Sequence, residues 1–314
     1  MRASALLSML CLTLLLSAPA TIATGQEVPL ALKFAQGDAI QYDVSFSGSG
    51  GLRGPDGQLL PLGVRGSLSL SQTVQEVLPD GSGRLSCLLP RADITVTMGG
   101  EQARFSCANG DIRWYAGGRE HTPPEAPGME KLPFLEVPIL LTMAPNGRVT
   151  DFAFDDPALM AKLEQMAPPG VSLGRIPGTG DQMFPDEPMK VGETWRRVAQ
   201  LYPLGPTMPL NVTISRTLDS YSESGGVGLA KMSGFAETRY QMQPMSLSPE
   251  ADLSFSLPEL RQSVTSTEFF DTTQGRLVRA EYDISLTARA SVKAGESTQS
   301  GGFEGRMHVS VQVR

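Results

Sequence analysis

The chain has 314 residues, 26 Lys/Arg against 33 Asp/Glu, a formal net charge of -7 and 6% aromatic residues. An acidic chain with no Lys/Arg run lacks the basic face that nucleic acid or an anionic membrane surface demands, so both are excluded as partners. Gly (33) and Pro (24) are plentiful, which suits many strands joined by turns.

Residues 1–23 read as a Sec-type signal peptide. Arg2 supplies a positive start, and residues 5–16 form a nearly unbroken apolar run. Ser17-Ala18-Pro19-Ala20 then gives a small-x-small cleavage pattern, with Thr21-Ile22-Ala23 as a second choice, so the cut is expected after Ala20 or Ala23. The apolar run is too short for the roughly 20 residues of a spanning helix. Cys11 lies inside it, upstream of either cut, with no small residue following where a lipoprotein signal wants one. A lipid anchor is therefore not expected. No later stretch reaches spanning length without charge, so no transmembrane segment is expected after signal removal. The expected location is exported, periplasmic or extracellular. Loss of Arg2 takes the charge from -7 to near -8 and leaves about 290 residues, enough for one large domain or two ordinary ones.

Period-two alternation dominates the remainder of the chain. Leu68, Leu70 and Val74 alternate with Ser and Thr, as do Ile94, Val96 and Met98, and Leu210, Val212 and Ile214. Val278, Ala280, Tyr282, Ile284, Leu286, Ala288, Ala290 and Val292 hold phase over one long run, and Met307, Val309, Val311 and Val313 close the chain. Each is a strand with one apolar and one polar face, as in an antiparallel sheet wetted on one side. Turn signals fall at Asp80-Gly81, Gly99-Gly100, Asn109-Gly110, Asn146-Gly147 and Gln274-Gly275.

One segment, 156–167, reads as an amphipathic helix. Asp156 can cap it, Pro157 fits its first turn, and Leu159, Met160, Leu163 and Met166 stripe one face. Pro168-Pro169-Gly170 ends it and begins a Pro/Gly-rich connector over 168–188. The connector separates a first β-rich half, 27–167, from a second, 189–314. The halves look related: Gly37-Asp38 and Gly192-Glu193 each precede a strand with an aromatic residue, and Asn146-Gly147-Arg148 matches Gln274-Gly275-Arg276. Together these signals predict a mainly β, β-dominated α+β protein. Its architecture would be two related curved antiparallel sheets, half-barrel-like, with the one clear amphipathic helix.

Phe184-Pro185 through Val191-Gly192-Glu193-Thr194-Trp195 resembles the "FP…VGdtW" segment of an uncharacterised exported bacterial β-rich family. Phe270-Asp271 through Gly275-Arg276-Leu277 resembles that family's "FD…GRL" turn. Such proteins are similar in pattern to the bacterial lipoprotein-carrier superfamily. The resemblance implies a curved sheet over an apolar cavity and an exported location; it transfers no catalytic residues.

Residues able to carry chemistry are few. His121 sits in a Pro-rich loop and His308 on the polar phase of the last strand, with no nucleophile motif to match either. No His pair, Cys-x-x-Cys or EF-hand spacing is present, so no metal or cofactor is expected. Met183, Met189, Met242 and Met245 read as packing rather than Cu(I) ligands. Once Cys11 is removed, Cys87 and Cys107 are the only pair. A tight hairpin at Gly99-Gly100 would put Ala92 opposite Cys107. A second tight turn at Pro90-Arg91 would set Cys87 on the same face two strands away, about 10 Å off, where Pro90 could still let a disulfide close. Both states of the pair stay open.

The expected function is a non-catalytic exported binding protein. It would hold an apolar small molecule such as a lipid, with Leu159, Met160, Leu163 and Met166 as weak ligand-binding candidates. Two other readings stand beside it. One is a structural or protein-interaction component of the cell envelope with a filled core. The other is an enzyme whose site is built from loops, 117–133 or the connector. An outer-membrane barrel is disfavoured, because so few aromatic residues cannot form interfacial girdles.

Overall fold

The structure is a computed structural model that describes residues 25–54, 56–108, 111–121, 137–158, 183–201, 210–248, 253–294 and 296–314. The expected signal peptide lies outside these residues. Sixteen strands are described: β1 (Glu27–Val28), β2 (Ala39–Arg53), β3 (Leu59–Val77), β4 (Gly83–Met98), β5 (Glu101–Ala108), β6 (Asp111–Ala116), β7 (Arg119–His121) and β8 (Ile139–Met143), then β9 (Val149–Phe154), β10 (Met189–Lys190), β11 (Thr194–Leu201), β12 (Leu210–Ser224), β13 (Val227–Ser248), β14 (Leu253–Asp271), β15 (Arg276–Ala294) and β16 (Ser297–Val313).

Fourteen of them form one antiparallel sheet, ordered β11-β12-β13-β14-β15-β16-β2-β3-β4-β5-β6-β7, with β8 and β9 attached through β4. This corrects the two-sheet expectation. The C-terminal strand β16 pairs with β15 on one edge and with β2 on the other, from Gly302↔Arg53 to Val313↔Tyr42, so both halves share a single ladder. Among the described residues the sheet is not closed: β11 and β7 are its two ends.

The two Gly-acidic openings have the same backbone arrangement. Gly37 donates to Val74 O while Val74 donates to Asp38 O; Gly192 donates to Leu218 O while Leu218 donates to Glu193 O. Both glycines have positive φ, 86° and 92°, a conformation closed to most side chains. The first clasp ties the start of β2 to β3, the second the start of β11 to β12.

Local corrections come from particular residues. Pro90 does not make a turn: β4 runs through it. Pro90 marks the point where the partner on one edge of β4 changes from β5 at Arg91↔Ala108 to β8 at Cys87↔Ile139, a position where a missing N–H is tolerated. Val278 leaves the apolar phase because a register shift after Phe269↔Arg279 places it beside the ladder. The expected helix shows only its start. Asp156 Oδ1 accepts the Ala158 N–H at 2.9 Å and Pro157 and Ala158 are helical. No longer helix is seen among the described residues, and Leu159, Met160, Leu163 and Met166 lie outside them. Phe184, within the expected connector, is 1% exposed and belongs to the core, because its ring packs on Phe270 at 4.8 Å.

Core packing sits at one end of the sheet, the end carrying the turns at Gly81, Gly147, Gly226 and Gly275. Val28, Leu30, Phe184 and Met189 cover Leu218, Met232, Ala230 and Phe270. Beside them Val74, Leu85 and Cys87 pack with Phe34, Ile139 and Leu141. The N-terminal segment is pinned across both groups by Leu32 N–H to Pro145 O and Lys33 N–H to Gly275 O. Gly275 has to be glycine: its φ is 64°, and a Cβ would collide with the Lys33 backbone.

Candidate functional site

Cross-strand register sorts the long strands into two faces. One row reads Ile214, Ala236, Val264, Ile284, Met307, Gly48, Val64, Val96 and Ala103 from β12 to β5. The rows on either side are mostly apolar as well. The opposite face carries Ser45, Ser47, Ser67, Asp93, Arg104, Glu281, Asp283 and His308.

Cover on the apolar face fades along the strands. Down β4, Leu85 is 1% exposed and Ala92 4%, whereas Val96 is 43% and Met98 52%. Leu52 and Leu60 are likewise exposed at that end, the rim opposite the packed base. Between base and rim lies a groove of about 270 Å³. Gly48, Gly50 and Gly305 form its floor, and Leu62, Val64, Val96, Ile284, Leu286 and Met307 its walls. The Phe303 ring lies over Gly305 and Gly50, within 2.7 and 3.2 Å of where their side chains would begin. Adjacent glycines on neighbouring strands remove the layer of side chains that would otherwise level the face.

A second hollow, of about 170 Å³, opens on the same face over β12–β15. Arg216, Glu268, Ser266 and Tyr282 line it, among Val212, Ile214 and Val264. Arg216 and Glu268 are an ion pair at 3.3 Å with side chains 9% and 1% exposed. Ser266 Oγ donates to Glu268 Oε1 at 3.1 Å. Burial pushes the Tyr282 phenol up to about 12, and the nearby Glu268 carboxylate adds to the effect, so its hydroxyl stays protonated at any ordinary pH.

The polar face has hollows of its own, about 710 and 490 Å³, lined by Arg65, Ser67, Asp93, Arg104 and Tyr115 and by Ser45, Ser69 and Arg314. Two of their arginines are paired, Arg104 with Asp93 and Arg314 with Asp43. His308 is held by Asp283 at Nδ1 and Glu281 at Nε2, both at 2.9 Å. His121 lies in β7, across from Trp114 on β6. No group of three or more His, Cys, Asp or Glu is gathered for a metal among the described residues.

Cys87 and Cys107 are both buried thiols in different clusters, Cys87 among Val74 and Leu85, Cys107 against Ala92. The expected pairing of Ala92 with Cys107 holds, but the route past Pro90 does not. Met183 and Met189 pack in the base. The buried Arg216–Glu268 pair is not among the sequence expectations. Its one signal is charge on an apolar phase: Arg216 continues Val212 and Ile214, and Glu268 continues Val264 and Ser266.

No family model and no curated protein matches the chain. Among solved structures it is similar to the COG4313 outer membrane channel from Pseudomonas putida F1, at 10% identity and a TM-score of 0.22 over 92% of this chain and 98% of that one. It is also similar to OpdQ of Pseudomonas aeruginosa, at 7% and 0.20 over 88% and 99%, and to OccK5 (OpdH) of the same organism, at 8% and 0.19 over 88% and 98%. Likeness at that level carries no inference about fold, location or activity.

Proposed function

We propose that this chain is an exported, non-catalytic binding protein that seats an apolar molecule, such as a lipid tail, on the rim half of its apolar sheet face. One observation carries the reading: the glycine-floored groove between Leu62, Val96, Ile284 and Met307, left open where the base of the same face is packed shut. Its volume is near the lower end of the roughly 300–1,000 Å³ of small-molecule pockets. Exposed Val96, Met98, Leu52 and Leu60 extend it with apolar surface toward the rim. The covered base argues against a lipid-facing barrel exterior, on which Val28, Leu30 and Phe184 would have no reason to lie.

Displacement of an apolar fluorescent dye by straight-chain alcohols of increasing length tests the reading. Each buried CH₂ contributes about 0.8 kcal/mol, so affinity should rise about fourfold per methylene until the groove fills. Val96→Glu, at a half-exposed position, should abolish the binding without moving the unfolding midpoint. A dye signal indifferent to chain length and to Val96→Glu would count against the groove. It would favour the envelope scaffold with a filled core.

A further inference from the structure

The buried ion pair is built in a way that packing alone does not explain. Arg216 directs two donors, Nε and Nη2, at a single oxygen, Glu268 Oε1, each at 3.3 Å. Arg216 Nη1 and Glu268 Oε2 are both out of reach of solvent and have no hydrogen-bond partner. An arginine and a carboxylate ordinarily meet as a fork with two parallel bonds, which would give each carboxylate oxygen its own donor. Leaving a buried donor and a buried acceptor of the same pair unmade is costly. Both residues line the 170 Å³ hollow.

We propose that this hollow seats the head of an amphiphile, a neutral group that accepts and donates on neighbouring atoms, namely a hydroxyl or an amide. The inference rests on the apolar-ligand reading and names the end of the ligand which that reading leaves open. On seating the head the two side chains part, so that its oxygen accepts from Arg216 Nη1 and its O–H or N–H donates to Glu268 Oε2. Charge selects neutrality: Arg216 and Glu268 already compensate one another, and a carboxylate head would set a second desolvated negative charge against Oε2. The tail has a path. Val264 lines the hollow, and its cross-strand partner Ile284 lines the groove, so the two adjoin across the β14–β15 ladder. Tyr282, at that junction, offers a hydroxyl that stays neutral.

The test is displacement of the apolar dye by 1-octanol, octanamide, octanoate and octane, on the wild-type chain and on Arg216→Leu/Glu268→Leu. That double variant swaps a buried ion pair for apolar side chains, a change that folds tolerate. Octanol and octanamide should each lose about tenfold or more in affinity in the double variant, the size of a hydrogen bond to a charged partner. Octane should lose nothing. Glu268→Gln keeps the shape but turns an acceptor into a donor, so it should weaken octanol and strengthen octanoate. Equal affinities of octanol for wild type and double variant would overturn head recognition while leaving the groove reading intact. So would octanoate being the tightest wild-type ligand, or octane falling in step with octanol. Failure of all four probes on the wild type, octane included, would bring down the groove reading and this inference together.

Discussion

Arg216 on β12 reaches across an intervening strand to Glu268 on β14, passing over Gly234 of β13. Register puts Arg216 opposite Gly234 and Gly234 opposite Ser266, two residues before Glu268. The crossing is possible because Gly234 has no side chain. A Cβ there would fall on the Ser266 hydroxyl, which itself donates to Glu268 Oε1, while meeting the Arg216 stem only at an ordinary contact distance. Gly234→Ala should therefore destabilise by about 1–3 kcal/mol, the usual cost of overpacking. Gly63→Ala is the control: its Cβ would meet only Thr97 Cβ, at an ordinary 3.7 Å, so the change should stay within about 0.5 kcal/mol. Urea unfolding midpoints of the two variants read the difference.

The phenylalanines of the two sequence segments, Phe184 and Phe270, meet at the base, with ring centroids 4.8 Å apart and ring planes inclined at 56°. The clasp around them is polar. Trp195 Nε1 donates to Met183 O, Asn146 Nδ2 donates to Asp186, and Asp271 Oδ1 accepts from Thr273 and Gln274 N–H. Truncating either ring to alanine should cost about 3–5 kcal/mol. A double-mutant cycle should return a coupling of about 0.5–1.5 kcal/mol for the aromatic pair. Additive effects would mean that the two segments stabilise the fold independently.

These elements show how far the sequence alone reaches. Alternation locates the long strands, and the Gly99-Gly100 hairpin sets the β4–β5 register residue by residue, because a two-residue loop leaves no freedom. What alternation does not reveal is the partner across each edge. Nothing in Met307 to Val313 says that it pairs with β2, far away at the start of the chain, so one sheet reads as two. Pro90 reads as a turn because proline breaks ladders; in the fold it sits where β4 changes partners and no donor is needed. The groove is hidden for a similar reason. Gly48, Gly50 and Gly305 are weak strand positions until register brings them side by side, and Arg216 and Glu268 need the same register to become a pair.

His308 bridges Asp283 and Glu281 on the polar face. Its imidazole is held above the ordinary 6.5, first by the hydrogen bond to Asp283 and then by the fields of both carboxylates. Because the folded value is raised, this contribution to stability is fully present below about pH 6.5. It is lost as pH climbs through the raised value. Glu281 runs the other way. Arg279 above all holds it below 4.5, so its share is present above that value and fades as pH falls through the lowered one. An NMR titration of His308 should show a midpoint above 6.5, and Asp283→Asn should bring it down. His308→Gln should lower the unfolding midpoint at about pH 5.5 more than at about pH 9; equal losses at both would remove the charge-assisted account.

Cys87 and Cys107 should stay reduced and silent in the folded chain even under oxidising conditions. Cys107 faces Ala92, and Cys87 lies five residues from Ala92 along β4. At about 3.3 Å per residue that is roughly 16 Å, against the roughly 7 Å between Cα atoms that a disulfide can span. Burial also pushes the Cys87 thiol up to about 11, leaving almost no thiolate at pH 8 to attack a reagent. Ellman's reagent should therefore find no reactive thiol in the native protein. In urea it should find two in a chain lacking residues 1–23. Intact-mass measurement after air oxidation should show no loss of two hydrogens. A bridged species recovered from native protein would require β4 to bend back at Pro90, contrary to the β3–β4 ladder that runs past it on both sides.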